Sequence, residues 1–369
     1  MAEPLKLFVA AGEPSGDRIG ADLVRSLRRR RSLRLGGVGG GELEGEGLIS
    51  LFPMRDLSVM GFADVIARFP LLWLRMRQTV GAILRETPDV VVMIDSQVFA
   101  ARVAAAARSG GYRGPILLYV APSVWAWKPE RARALNGLFD EVLAVLPFEP
   151  TTMRGLGGPL TTYVGHPAVD RIAPRPSIPE RGPLLLLPGS RSGELRRHLP
   201  IMERVAVAFA AHPRVTKLVL PTPASQLSGV TAAVAGWASP VSVISGAAEV
   251  GAAFASAIAA AAVSGTITLE LALAGIPMAV IYTADGGQYR HWLAAGRPQV
   301  SLPNIVAGKS IVPELVSPAP QAEFLIAEIR KLIEVPQAAT VQLAGFQAMR
   351  KTIESGVTDA ATRVLARIG

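Results

Sequence analysis

Acidic and hydroxyl side chains follow two short apolar runs in the first half of the sequence. Asp95 comes directly after Val90–Ile94, and Leu5–Ala10 is followed by a turn that carries Glu13, Ser15 and Asp17. A carboxylate at the carboxyl end of a parallel strand faces a ligand, and it can take a proton from an attacking hydroxyl. We predict that Asp95 is a general base, with Ser15, Asp17 and Glu13 as further catalytic residues. Helix capping by these side chains is the structural alternative.

Two turns in the second half combine glycine and hydroxyl residues with the start of a helix. The first follows Leu184–Leu187 and carries Gly189, Ser190 and Arg191. The second consists of Ser264, Gly265 and Thr266, with Glu270 one turn later. Helix N-termini bind anions, and the guanidinium fork of arginine matches phosphate oxygens. Together the two turns predict a nucleotide diphosphate site in which Glu270 accepts hydrogen bonds from the ribose hydroxyls. Plain strand–helix turns are the alternative, and neither turn matches an ATPase phosphate loop.

Four further residues are weaker candidates. Trp125 and Trp127 follow the strand-like run Ile116–Val120, where they could stack on a sugar or an acyl chain, or pack in the core. Asn304 and Glu314 stand in loop-like surroundings near a helix start.

The elements that would position these residues are alternating short apolar runs and helical stretches, which predict an α/β fold built on parallel sheets. Four prolines among the fourteen residues 170–183 mark a linker. We therefore predict two facing Rossmann-like, doubly wound domains with a cleft between them. Their bounds are 1–170 and 183–340, with a linker at 171–182 and C-terminal helices at 341–369 that could cross back. The predicted strands are Leu5–Ala10, Val90–Ile94, Ile116–Val120, Glu141–Val145, Leu184–Leu187, Lys217–Leu220, Val241–Ile244, Ala257–Val263 and Met278–Ile281.

Composition excludes several classes of function. The 369 residues include no cysteine and four histidines, none of them spaced as a helical metal site, so we expect no metal. The net charge of +9 comes partly from an arginine-rich run at 25–34, but no nucleic-acid motif accompanies it. That run could face anionic lipid or substrate, or be a solvated helix end. The start lacks a signal-peptide pattern, and Val250–Leu269 is interpreted as buried helices and a turn rather than a membrane span.

Taken in order, nine motifs resemble those of the lipid-A-disaccharide synthases. They are GEPSGD, the strand-end Asp95, PSVWAWKPER, LPFE, YVGHP, LLPGSR, SGTITLE, LPN and VPEL, and they span residues 10 to 315. The combination is specific, whereas LPGSR or SGT alone would be weak. The family has the two-domain GT-B fold of glycosyltransferases, and the resemblance implies that Ser15, Asp95, Arg191 and Asn304 are functional here.

The resemblance also implies an activity. Members transfer 2,3-diacylglucosamine from UDP to 2,3-diacylglucosamine 1-phosphate, which gives a β-1,6-linked disaccharide and UDP. The implied donor site lies in the second domain and the acceptor site mainly in the first. Asp95, or failing that Asp17 or Glu13, would deprotonate the acceptor in an inverting reaction. Arg191 and the Ser264–Thr266 helix start would stabilise the departing diphosphate, so we expect no metal or other cofactor.

The chain departs from the family pattern in three places. Ser96–Ala100 follows Asp95 where a Pro-Asp-Phe-Asn-like run is usual, Ala121 replaces a serine, and Ser317 replaces a glutamine. None removes a proposed catalytic group, but they bear on acceptor contacts and acyl preference.

Diacylated substrates imply a cytoplasmic protein that touches the inner membrane of a Gram-negative bacterium without crossing it. The segment Met60–Arg77 has an apolar surface with three arginines, a composition suited to a membrane interface or to an ordinary packed helix. A homodimer is left open. A sugar-nucleotide epimerase, the glycosyltransferase of peptidoglycan synthesis and a silent nucleotide-sugar binding protein are the competing interpretations.

Overall fold

The structure is a computed structural model that describes residues 3–57, 68–125 and 128–368. The chain divides into two units, of which unit 1 contains Met1–Pro167 and Ile353–Gly369, and unit 2 contains Ala168–Thr352. The chain therefore passes from one unit to the other twice, once near the predicted linker and once within a C-terminal helix.

Strands and helices alternate through both units. In chain order the first half contains β1 (Leu5–Ala11), α1 (Pro14–Arg28), β2 (Leu33–Val38), α2 (Gly41–Gly45), α3 (Phe69–Glu86), β3 (Val90–Ile94), α4 (Gln97–Ser109), β4 (Ile116–Tyr119), α5 (Glu130–Ala134), β5 (Glu141–Ala144), α6 (Glu149–Gly155) and β6 (Thr161–Tyr163). The second half contains α7 (Ala168–Arg171), β7 (Gly182–Leu187), α8 (Ser192–Phe209), β8 (Val215–Pro221), α9 (Leu227–Val234), β9 (Val241–Ile244), α10 (Ala247–Ser256), β10 (Ala259–Val263), α11 (Thr266–Ala274), β11 (Met278–Thr283), α12 (Gly286–Ala294), α13 (Leu302–Ala307), β12 (Glu314–Ser317), α14 (Ala322–Glu334), α15 (Pro336–Glu354) and α16 (Ala360–Leu365).

Each unit contains one six-stranded sheet. The order is β2-β1-β3-β4-β5-β6 in unit 1 and β12-β11-β10-β7-β8-β9 in unit 2, and the pairings in the described residues are parallel. In both sheets the strand order reverses once, between β1 and β3 in unit 1 and between β7 and β10 in unit 2. Ligands of doubly wound sheets bind at the carboxyl ends of the strands at such a reversal. The predicted α/β class with two doubly wound parallel sheets is confirmed.

The central strands form because their residues are apolar on both faces, as covered parallel strands require. All five residues of β3 are buried, and so are all five of the alanine-rich β10. Helix α1 lies close against β3 because Gly16 and Gly20 carry no side chain. A Cβ on either glycine would lie 3.0–3.3 Å from the side chain of Ile94.

The C-terminal helix α16 is attached to the sheet of unit 1 by a buried acid. Glu141 of β5 is fully buried, and its carboxylate accepts hydrogen bonds from Arg363 at 2.8 Å and from Arg367 at 2.7 Å. Burial alone would raise the pKa of Glu141, but hydrogen bonds from Arg363, Thr162 and Arg367 outweigh burial and lower it. The residues after 352 are therefore an integral part of unit 1.

The prediction missed three strands, and each is an outer strand of its sheet. β2 contains two glycines, β6 has only three residues, and β12 begins with a glutamate. An outer strand pairs on one side only and needs less apolar surface, so its sequence pattern is weak. No helix in the described part of the chain combines the length and the apolar composition needed to cross a bilayer.

Candidate active site

Asp95 lies at the strand reversal of unit 1, immediately after β3. It is half-buried, and its N–H donates to the carbonyl of Tyr119 at 3.0 Å. Asp95 and Ser96 both adopt left-handed backbone conformations, with φ of 53° and 40°, and Val120 after β4 has φ of 76°. Such conformations cost about 1–3 kcal/mol each in residues other than glycine, and they cluster at functional sites. The turn that carries Asp95 is therefore held by its surroundings in an unfavourable conformation.

The loops after β1 and β3 contact each other. A Cβ on Gly12 would lie 2.0 Å from the hydroxyl oxygen of Ser96, so a side chain at position 12 would displace Ser96. Glu13 and Ser15, which follow in the same loop, are exposed. The structure thus brings the exposed start of α1 beside the turn that contains Asp95.

Asp17 is placed differently from the other predicted catalytic residues. Only 3% of it is exposed, and its carboxylate accepts the N–H groups of Gly40, Glu42 and Leu43 at 2.8–3.2 Å. These are the free donors at the start of α2, which has no capping side chain of its own. The structure therefore shows Asp17 as the cap of α2.

Trp125 packs against the loop that follows β5. Its ring meets Phe148 edge to face with centroids 5.5 Å apart, and its buried indole N–H has no hydrogen-bond partner of normal geometry in the described residues. This contact agrees with the packing alternative for Trp125, while Trp127 lies outside the described residues.

Glu149 is a buried acid in the same region that the prediction did not select. Its Oε2 accepts the N–H groups of Val145 at 3.1 Å and Leu146 at 2.9 Å. Burial raises the pKa of Glu149 to about 7, against the lowering effect of these bonds and of the nearby Trp125 indole. The signal that could have found it is its place in LPFE, just after a strand end.

In unit 2 the turn after β7 is closed by an acid at the first turn of α8. Gly189 has φ of 99°, and a Cβ there would lie 2.6 Å from Oε2 of Glu194. The same oxygen accepts the N–H groups of Ser190 at 3.1 Å and Arg191 at 3.2 Å, while Oε1 pairs with the Arg191 guanidinium at 3.2 Å. The free N–H groups expected at this turn are thus partly occupied by Glu194. The Arg191 side chain remains 68% exposed.

The turn after β10 stands next to it, because β7 and β10 are neighbours. Gly265 and Thr266 are exposed at the start of α11, and the Ser264 hydroxyl donates to the carbonyl of Val300 at 2.7 Å. Glu314 fixes the same segment by accepting the N–H groups of Val300 and Ser301 at 3.1 and 2.9 Å. Glu270 follows one turn into α11 and is half-buried.

Asn304 is fully buried and organises a turn. Its Oδ1 accepts the N–H groups of Ile311 and Val312 at 2.7 and 2.8 Å, and its Nδ2 donates to the Val312 carbonyl at 2.9 Å. Asn304 lies near a helix start as predicted, because it is the third residue of α13, but the expected loop-like surroundings are wrong for Asn304 and for Glu314, which begins β12. Both side chains hold backbone segments in place, and this structural role cannot be recognised from a short polar motif in the sequence.

The arginine-rich run 25–34 lies at the end of α1, and thus at the amino edge of the sheet, opposite the strand reversal. Arg25 and Arg28 pair with Glu46 at 2.9 and 3.1 Å, and Arg30 pairs with Asp359 at 2.9 Å. These ion pairs agree with the alternative in which the arginine-rich run is a solvated helix end. Within the described residues no group of three or more acidic or histidine side chains could hold a metal ion.

Two doubly wound parallel sheets, each with polar loops at its strand reversal, define a two-domain α/β protein of the GT-B glycosyltransferase class. Solved structures share this fold. The calicheamicin glycosyltransferase CalG4 is similar with a TM-score of 0.61 and 18% identity over 100% of this chain and 99% of that one. The UDP-GlcNAc 2-epimerase from Neisseria meningitidis, bound to UDP-GlcNAc, has a TM-score of 0.60 and 12% identity over 95% and 98% of the two chains.

Sequence comparison narrows this class to one family. Residues 7–368 match the family described as lipid-A-disaccharide synthetase. A lipid-A-disaccharide synthase of Nitrobacter winogradskyi is 41% identical over 365 residues, which cover 95% of this chain and 91% of the relative. The chain belongs to the lipid-A-disaccharide synthase family, which is a family of glycosyltransferases.

Proposed function

We propose that this protein transfers 2,3-diacylglucosamine from its UDP donor to 2,3-diacylglucosamine 1-phosphate, with inversion at the anomeric carbon. The observation that carries the proposal is the position of the polar motifs. GEPSGD and Asp95 flank the strand reversal of one sheet, and LPGSR and SGT flank that of the other. A reaction of two substrates needs two binding edges, and each sheet supplies one.

In unit 1, Asp95 is the proposed base that takes the proton of the acceptor's 6-hydroxyl as its oxygen attacks the anomeric carbon. Asp17 is a poorer candidate because both of its oxygens already accept backbone N–H groups. Glu13 and Ser15 are exposed beside Asp95 and are proposed to contact the acceptor.

In unit 2, Arg191 and the start of α11 are proposed to bind the UDP diphosphate and to stabilise the charge that grows as UDP departs. The exposed guanidinium of Arg191 and the exposed Gly265 and Thr266 support this assignment. Glu270 is proposed to accept the ribose hydroxyls. Glu314 acts indirectly in this proposal, by fixing the backbone of Val300 and Ser301 behind the Ser264 turn. Asn304 also acts indirectly, by holding the Ile311–Val312 backbone that leads into β12.

The apolar start of α3 is the proposed contact with the membrane surface. Phe69, Trp73 and Leu74 are each about half exposed, and the Arg77 guanidinium lies 4.7 Å from the Trp73 ring centroid. Exposed aromatic and aliphatic groups beside arginine suit the interface of an anionic bilayer. Residues 60–67 of the predicted segment lie outside the described residues.

Replacing Phe69, Trp73 and Leu74 by serine is expected to abolish flotation of the protein with anionic vesicles. The control is Val207→Ser, at an exposed position of unit 2, which should retain flotation.

Release of UDP separates the proposed function from its competitors. Purified protein is incubated with the diacylated UDP-sugar, with and without the lipid 1-phosphate acceptor. We expect release to require the acceptor. A sugar-nucleotide epimerase would change the donor without the acceptor, and a binding protein would release no UDP. Absence of acceptor-dependent release would overturn the proposal.

A further inference from the structure

His198 is a fully buried histidine in α8 whose two ring nitrogens both contact backbone groups. Nδ1 lies 2.8 Å from the carbonyl oxygen of Glu194, and Nε2 lies 3.0 Å from the amide nitrogen of Thr283. A carbonyl oxygen can only accept and an amide N–H can only donate. Nδ1 must therefore carry the proton and Nε2 must be bare, so one neutral tautomer satisfies both contacts.

These contacts join two parts of unit 2 that flank its strand reversal. Glu194 closes the turn that carries Arg191, and Thr283 is the last residue of β11. Strand β10, with the Ser264–Thr266 turn at its end, lies between β7 and β11. A second contact supports the first, because Arg197 of α8 lies 3.9 Å from Asp285, which caps α12. The His198 ring thus links α8 to the far side of the Ser264–Thr266 turn.

The end of β11 also has an unsatisfied polar group. The hydroxyl of Thr283 is buried and has no hydrogen-bond partner in the described residues. Buried hydroxyls normally have a partner, so this one is consistent with a bond that a bound ligand completes. The position of Thr283 is fixed by its amide bond to His198.

We propose that His198 is a positioning residue for the nucleotide-sugar donor. Its ring ties α8, the helix that follows Arg191, to the end of β11, and this tie is released when Nε2 is protonated. The inference rests on the proposed function, because it assigns the donor to this edge of unit 2. Protonation would place two N–H donors against each other at Nε2 and Thr283, and the bond would be lost.

The surroundings of the ring favour its neutral form. Burial lowers the pKa of His198, and the charge of Arg197 lowers it further, whereas the Glu194 carbonyl and carboxylate oppose this effect. The Tyr282 ring lies 6.0 Å from the imidazole, centroid to centroid, and Asp285 faces Arg197. The tie is therefore intact at neutral pH and is lost only in acid.

Two substitutions separate the two ring contacts. His198→Gln places an oxygen near the Nε2 position and can accept from Thr283 at any pH. His198→Asn places an amide near the Nδ1 position, keeps the bond to Glu194 and loses the bond to Thr283. His212→Gln is the matched control, because His212 follows the other end of α8 and contacts Glu334 and Arg214.

Steady-state kinetics with both substrates tests the proposal. For the wild type and the control, we expect the donor KM to rise in acid, below the ordinary histidine pKa of 6.5, with kcat nearly unchanged. His198→Gln should remove this rise. His198→Asn should raise the donor KM about tenfold at neutral pH, which is the effect of one lost hydrogen bond. A donor KM in both variants that matches wild type across the pH range would overturn the proposal.

A second measurement does not depend on turnover. Nitrogen chemical shifts of the imidazole should show the Nδ1–H tautomer at neutral pH. Protection of the Thr283 amide against hydrogen exchange should be lost in acid, and the pH midpoint of this loss should equal the midpoint of the His198 titration. Unchanged protection through that titration would refute the tie. If the tie is present but no acceptor-dependent UDP release occurs, the proposed function fails instead.

Discussion

Replacement of Glu149 by glutamine should stabilise unit 1 in alkaline solution and have little effect in acid. Glu149 is 3% exposed, and its pKa of about 7 means that it binds its proton more tightly in the folded chain than in the unfolded one. The stability that comes from this difference is complete below the ordinary glutamate pKa of 4.5 and is lost as the pH rises through about 7. Glutamine stays neutral and can still accept from Val145 and Leu146.

The magnitude follows from the pKa shift. A tenfold change in proton affinity is worth about 1.4 kcal/mol, so raising the pKa from 4.5 to about 7 corresponds to about 3 kcal/mol. About 2.5 kcal/mol of this difference develops between pH 5 and pH 8. Water that enters the site on ionisation would reduce the value, so it is an upper bound.

Hydrogen exchange at the amides of β5 and α6 provides the assay, since it measures unfolding of unit 1 separately from unit 2. The free energy of opening in the wild type should fall relative to Glu149→Gln by up to about 2.5 kcal/mol between pH 5 and pH 8. Glu44→Gln, at an exposed position of α2 in the same unit, is the control and should track the wild type. A constant difference between wild type and Glu149→Gln across this range would refute the reasoning.

Substitutions at three other residues test the assignments of single side chains. Asp95→Asn should abolish turnover and leave UDP affinity in calorimetry nearly unchanged; turnover that persists would move the base to the exposed Glu13. Asn304→Ala leaves the buried N–H of Val312 and the half-buried N–H of Ile311 without an acceptor and should lower the stability of unit 2 by about 3 kcal/mol in denaturant unfolding, whereas Asn304→Asp should recover part of it. Glu141→Gln should weaken the attachment of α16 by about 3 kcal/mol, measured as faster proteolysis of the C-terminal segment, and an unchanged cleavage rate would contradict that role.

The sequence was sufficient to predict the fold class and the central strands, because a strand covered on both faces must be apolar throughout. β3 and β7 follow this rule. The prediction from sequence failed for β2, β6 and β12, because a strand that pairs on one side only has less need for apolar residues. The motif loops were found because polar residues at strand ends stand out against buried strands.

What the sequence could not reveal is which polar residues bind backbone. Asp17 and Asn304 have the residue types of a catalytic site, yet the structure uses them to cap a helix and to hold a turn. Glu194 and His198 were overlooked for the opposite reason. Their importance comes from partners that are close only in the folded chain, such as the Thr283 amide, 85 residues from His198.

The central claim is that the protein makes a disaccharide from two diacylated sugars, and product analysis tests it most directly. Purified protein is incubated with the diacylated UDP-glucosamine and the diacylated glucosamine 1-phosphate, and the lipid product is analysed by mass spectrometry and by NMR of the anomeric proton. We expect one disaccharide 1-phosphate with a β-1,6 linkage for each UDP released. UDP release without a disaccharide, or a disaccharide with the α configuration, would contradict the proposed inverting transfer.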